Sequence, residues 1–118
     1  VPAVFEVSRE RFEELVEKAY EELPAEFAQA VENVAVVVED RAPGGRLFGL
    51  YEGIPLTQRS PLSYAGVMPD RITLYQHTIS AHCRNEADLV AQIRKTLVHE
   101  LGHYFGIDDA RLKELGWA

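Results

Sequence analysis

One run in the chain has residue types and spacing suited to chemistry: His99-Glu100-Leu101-Gly102-His103-Tyr104-Phe105-Gly106-Ile107-Asp108-Asp109. On a helix, side chains four apart share a face, so His99 and His103 can offer two imidazoles to one ion. Glu100 falls between them, placed to hold a metal-bound water rather than the metal. Gly106 lets a helix stop and the chain turn back, so that a later side chain can complete the site. Asp109 is the expected third ligand, with Asp108 its competitor one residue away. Two histidines and a carboxylate leave a zinc ion one position for water. The predicted chemistry is hydrolysis. Glu100 accepts a proton from that water, the hydroxide attacks a polarised peptide carbonyl, and Glu100 passes the proton to the departing amine.

The elements around the run must present it correctly, and their patterns agree. From Asn85 to Phe105, apolar residues recur at Leu89, Val90, Ile93, Leu97, Val98, Leu101, Tyr104 and Phe105, a helical period. Asn85 can cap the start, Asp88 stands three residues on, and Gly106 marks the end. Near the N-terminus, Ser8 can cap a helix carrying Phe12, Leu15, Val16, Ala19, Tyr20 and Leu23. Pro24 ends that helix or starts a short second one around Phe27 and Val31. Val34 to Glu39 reads as a buried strand, and Pro43-Gly44-Gly45 as a loop. Leu47 to Ile54, interrupted by Gly49 and Gly53, reads as a distorted edge strand. Pro55 to Pro69 reads as an exposed loop, and Arg71 to Ile79 as a strand. A short helix is expected from Asp109 to Trp117, with Leu112 and Leu115 inward. This order predicts an α+β fold, with the long helix packed across a twisted sheet of three or four strands and an N-terminal helix beside it.

Further groups invite a role. Tyr51, Tyr64 and Tyr75 could each supply a phenol to a developing oxyanion. The edge segment Leu47 to Glu52 could receive an extended peptide, and an exposed edge also offers a route to a homodimer. His77, His82 and Cys83 could hold a metal, but their spacing matches no zinc pattern, so they read as strand-end or surface residues.

Size and charge narrow the options. A length of 118 residues predicts one domain, 1–118. A net charge of −7 argues against nucleic acid or an anionic membrane as partner. The single cysteine, Cys83, excludes an internal disulfide and fits a reducing, cytoplasmic location. No apolar run is long enough to span a membrane, and none resembles a signal peptide.

The run HELGHYFGIDD resembles the zincin metallopeptidases with an elongated HExxHxxGxxH/D motif. With aspartate last, it looks like the Asp-zincin branch that includes snapalysin. The chain is also similar to a family of minimal, single-domain bacterial zincin-like proteins. In that family a segment like Gly49-Leu-Tyr-Glu-Gly-Ile-Pro-Leu-Thr-Gln-Arg59 precedes the strand leading to the metal-binding helix, and the likeness covers most of residues 34 to 117. The resemblance implies one Zn2+ held by His99, His103 and Asp109, with Glu100 catalytic and a peptide or protein as substrate. One departure concerns the methionine turn beneath the metal in metzincins. Here the sole methionine, Met68, precedes the motif, so the expected floor is the C-terminal segment with Trp117 or Leu115. The competing reading is a zincin-fold metal-binding or regulatory protein that cleaves nothing. A phage-repressor-cleaving regulator also carries HExxH, but lacks the Gly106/Asp109 continuation and often carries a DNA-binding module.

Overall fold

The computed structural model describes residues 5–58 and 70–116. Ser8 accepts a hydrogen bond from the Arg11 amide and opens helix α1, Arg9–Glu21. This helix buries Phe12, Leu15, Val16 and Ala19. Pro24 ends the connection and stands at the N-cap of the short α2, Ala25–Val31.

The sheet has three strands: β1 (Ala35–Glu39), β2 (Gly49–Glu52) and β3 (Arg71–Tyr75). Their order is β1-β3-β2, with β1 parallel and β2 antiparallel to β3. The central β3 is covered on both faces, and Ile72 and Leu74 are fully buried. β1 is only half-buried at Val36, Val37 and Val38, although the run reads as a buried strand. The reason is its place at an edge, with β3 as its single neighbour. The described part of the segment after β2 includes one 3-10 turn, Leu56–Gln58. The remainder of the expected loop, residues 59–69, lies outside the described residues.

The strand expected over Arg71–Ile79 stops at Tyr75, and Gln76–Ala81 forms helix α3. The His77 amide donates to the Asp40 carbonyl, which turns the chain out of the sheet. Arg9 fixes this corner: it donates to the Val38 carbonyl, the Gln76 side chain and the Asp40 carboxylate.

Helix α4, Glu86–Tyr104, begins at Asn85, whose side chain accepts from the Asp88 amide. Asp88 reaches back to the Arg84 amide, one residue outside the usual capping box. The helix packs on α1, α2, α3, β2 and β3, and buries Leu89, Ile93, Leu97 and Leu101 completely. Its last turns therefore stand against the edge strand β2. Helix α5, Asp109–Glu114, closes the described chain. Leu112 points inward as expected, but Leu115 is exposed because the helix ends at Glu114.

Candidate metal centre

The histidines occupy the last two turns of α4, and the end of that helix decides where the chain goes next. The Gly106 amide donates to His103 and the Ile107 amide to Gly102, which together form a Schellman motif. Gly106 has φ +86°, and a Cβ there would meet Thr57 Oγ1 at 2.2 Å. Both the turn and the close approach of the 3-10 segment require glycine. The same turn aims the Ile107 carbonyl at His103 Nδ1, 3.0 Å away. A carbonyl can only accept, so Nδ1 carries the proton and Nε2 keeps its lone pair for an ion.

The chain then restarts as α5, and the two aspartates take different positions. Asp108 is the N-cap, its carboxylate accepting from the Arg111 amide at 2.8 Å. Asp109 is exposed, yet its Oδ1 lies 3.2 Å from His103 Nε2 and 3.4 Å from His99 Nε2. Tetrahedral zinc bonds of about 2.0–2.1 Å place neighbouring ligand atoms about 3.3 Å apart. The donor set and its spacing thus fit a zinc ion.

Among the described residues, ligand atoms of His99, Glu100 and His103 also lie within 4.8 Å of one another. Glu100 is therefore a rival for the third ligand position. Its oxygens argue otherwise. Oε2 is 3.9 Å from His99 Nε2, longer than either Asp109 contact, and Oε1 accepts from the Tyr51 amide at 2.9 Å. Tyr51 belongs to edge strand β2, so this bond ties Glu100 to the sheet. Burial pushes the Glu100 carboxyl above its ordinary range. The neighbouring imidazoles of His99 and His103 and the Tyr51 amide pull it back, while Asp109 pushes it up. A carboxyl raised in this way is a better proton acceptor when ionised.

Helix α5 packs back on α4 at Gly102, next to His103 in the chain. A Cβ on Gly102 would lie 2.4 Å from Leu112 Cδ2, so the glycine lets Leu112 sit directly on the helix backbone. Leu115, one of the two residues expected to form a floor, is exposed, and Leu112 packs on the helix at Gly102; Trp117, the other, lies outside the described residues. Gly102 carried a signal for this contact, because a glycine inside a helical pattern marks a close approach. The Tyr51 amide and the Ile107 carbonyl carried none.

The other expected groups are placed as follows. The Tyr51 phenol donates to the Asp70 carboxylate at 2.8 Å, Tyr75 is buried on β3, and Tyr64 lies outside the described residues. His82 Nδ1 and Cys83 Sγ contact the carbonyls of Thr78 and Ile79, four residues back, which continues the α3 spiral. Burial raises the Cys83 thiol, keeping it protonated. Beside the centre, a cavity of about 470 Å³ runs between β2 and α4 and reaches His99 and Glu100. A larger one of about 600 Å³ includes His82, Cys83 and Asp88 and touches neither histidine of the centre nor Glu100.

Comparison with known proteins decides the relationship. The sequence profile described as zincin-like metallopeptidase matches residues 31–117. The chain belongs to that family. A solved structure, a conserved hypothetical protein from Thermus thermophilus, is similar to this zincin-like chain with a TM-score of 0.53 and 28% identity. The match covers 92% of this chain and 97% of the other. No curated protein matches significantly. Zincin-like metallopeptidases typically bind zinc, and the family implies protein or peptide substrates. No described helix is long and apolar enough to cross a membrane.

Proposed function

We propose that this zincin-like chain is a zinc-dependent peptidase, with His99, His103 and Asp109 holding the metal and Glu100 acting as general base. The observation that carries the reading is the approach of Asp109 Oδ1 to both Nε2 atoms, at 3.2 and 3.4 Å. Zinc bound there would act as a Lewis acid toward a peptide carbonyl and acidify a water. Glu100, anchored through Oε1 to the Tyr51 amide, takes a proton from the attacking water and delivers it to the departing amine. His103 is held in its ligating tautomer by the Ile107 carbonyl. Leu112, packed on Gly102, holds α5 against α4 three residues after Asp109.

A zinc titration followed by digestion of a peptide library tests this, with Glu100→Gln as control. The wild type should bind one zinc and cleave. The variant should keep the zinc and lose about 10²–10⁴-fold in kcat, the usual contribution of a general base. Tight zinc binding without cleavage would reject the peptidase and favour a metal-binding or regulatory zincin. Equal cleavage by both proteins would reject Glu100 as the base.

A further inference from the structure

The cavity beside the candidate centre has a charge opposite to that of the molecule. The chain as a whole carries −7. Yet the cavity between β2 and α4 is lined by Arg46 on one wall and Lys95 on the other. Both are exposed, and no ion pair of either is found among the described residues. Glu100, at the inner end, is the one carboxylate among the lining residues, and its Oε1 is already bound by the Tyr51 amide. Leu47, Phe48 and Gly49 form an apolar wall, and Thr96 lies buried on the helix side.

We propose that this cavity is a specificity pocket for a carboxylate of the peptide, beside the bond to be cleaved. The proposal rests on the peptidase reading for the ligand's being a peptide. Arg46 and Lys95 meet the carboxylate at the mouth, and the apolar wall takes the methylenes or backbone that lead from it toward Glu100. Two cations lining one concave, partly apolar site are a common means of orienting a small charged group. A polyanion is a poorer fit, because two cations on an acidic molecule do not make the extended basic surface it requires. The carboxylate can belong to an acidic side chain or to the peptide's C-terminus, and both present the same chemistry.

The test measures binding rather than turnover. Zinc-loaded Glu100→Gln protein is titrated, by fluorescence anisotropy, with labelled alanine-based heptapeptides. Each peptide has Glu, Gln or Lys at one scanned position and either a free or an amidated C-terminus. A carboxylate-bearing peptide should bind about three- to tenfold more tightly than its neutral partner, the range expected for one or two exposed ion pairs. The ratio should shrink at high salt and fall to one or below in the added double variant R46E/K95E. The milder R46M/K95M should bring it close to one. Loss of the preference on amidation assigns the C-terminal carboxylate, and loss on Glu→Gln exchange assigns a side chain. Equal binding of all peptides, or a preference that survives charge reversal, would overturn the proposal. Cleavage by the wild type without an acidic preference removes this pocket and leaves the peptidase standing. Acidic binding without cleavage does the reverse.

Discussion

Asp108 and Asp109 are consecutive and chemically identical, so the site turns on which carboxylate faces the histidines. Asp108 spends its oxygen on the Arg111 amide, while Asp109 Oδ1 stands within reach of both Nε2 atoms. The two substitutions should therefore separate. Asp108→Ala removes a helix cap and should cost about 0.5–2 kcal/mol in thermal unfolding. Asp109→Ala removes an exposed side chain and should leave metal-free stability almost unchanged. Its zinc affinity, followed by competition with a chelating dye, should fall by more than the roughly 10–100-fold typical of an outer hydrogen-bond partner. The opposite pattern would move the ligand to Asp108. That His99, Glu100, His103 and Asp109 come together was legible in the sequence, because side-chain spacing on and just beyond a helix constrains their relative positions. The groups that orient them were not legible. The Tyr51 amide and the Ile107 carbonyl belong to the backbone, and a backbone group takes its direction from the fold rather than from its residue type.

At the level of elements, helices with strong local signals read correctly from sequence, and α3, whose start is set by a tertiary contact, did not. Ser8 and Asn85 accept from the third amide on, as their types and positions predicted. The boundary between β3 and α3 was invisible, since Thr78 and Ile79 prolong a β-branched pattern and no side chain caps α3. The fold ends the strand there through the bond from the His77 amide to the Asp40 carbonyl. Helix α5 is short, and its seat on α4 depends on Leu112, which is fully buried against Gly102. Leu112→Ala should cost about 2–5 kcal/mol in chemical denaturation and weaken zinc binding through Asp109. Retained affinity would show that α5 holds Asp109 without this contact. A second tie joins α1 to α4, where Arg11 grips Glu86 with Nε to Oε2 at 2.8 Å and a second guanidinium nitrogen to Oε1 at 2.6 Å. The hydrogen bonds from Arg11, with its charge, hold the Glu86 carboxyl below its ordinary range. A depressed folded-state value stabilises the protein above the unfolded pKa, and the gain is lost as pH falls through the folded value. Melting temperatures of wild type and Glu86→Gln should therefore differ most above about pH 4.5 and converge below it. A constant offset into strong acid would exclude the ion pair as its source.

Over the whole molecule, the ligands proposed for the metal come from α4 and from the start of α5, so binding joins the last described helix to the core. A six-residue helix has little stability of its own and is held by packing. Without zinc, α5 should open more readily than α4 or β3, whose central residues are fully buried. An opening that separates Asp109 from His99 and His103 costs whatever zinc affinity Asp109 supplies, whereas global unfolding releases the ion altogether. Zinc at a thousand times its Kd should then raise the free energy of global unfolding by about 4 kcal/mol, which slows exchange through it about a thousandfold, and should slow local opening of α5 by the smaller factor that Asp109 contributes to affinity. Local fraying that leaves the site intact, as in the turn around Asn33 at the end of α2, should keep its rate. Amide hydrogen exchange with and without zinc distinguishes these classes. Slowing in α5 together with α4 and β3 is the signature of a ligand set that bridges the two helices. Slowing confined to α4 and β3, with α5 exchanging as freely as before, would mean that the ion is held by His99 and His103 without Asp109.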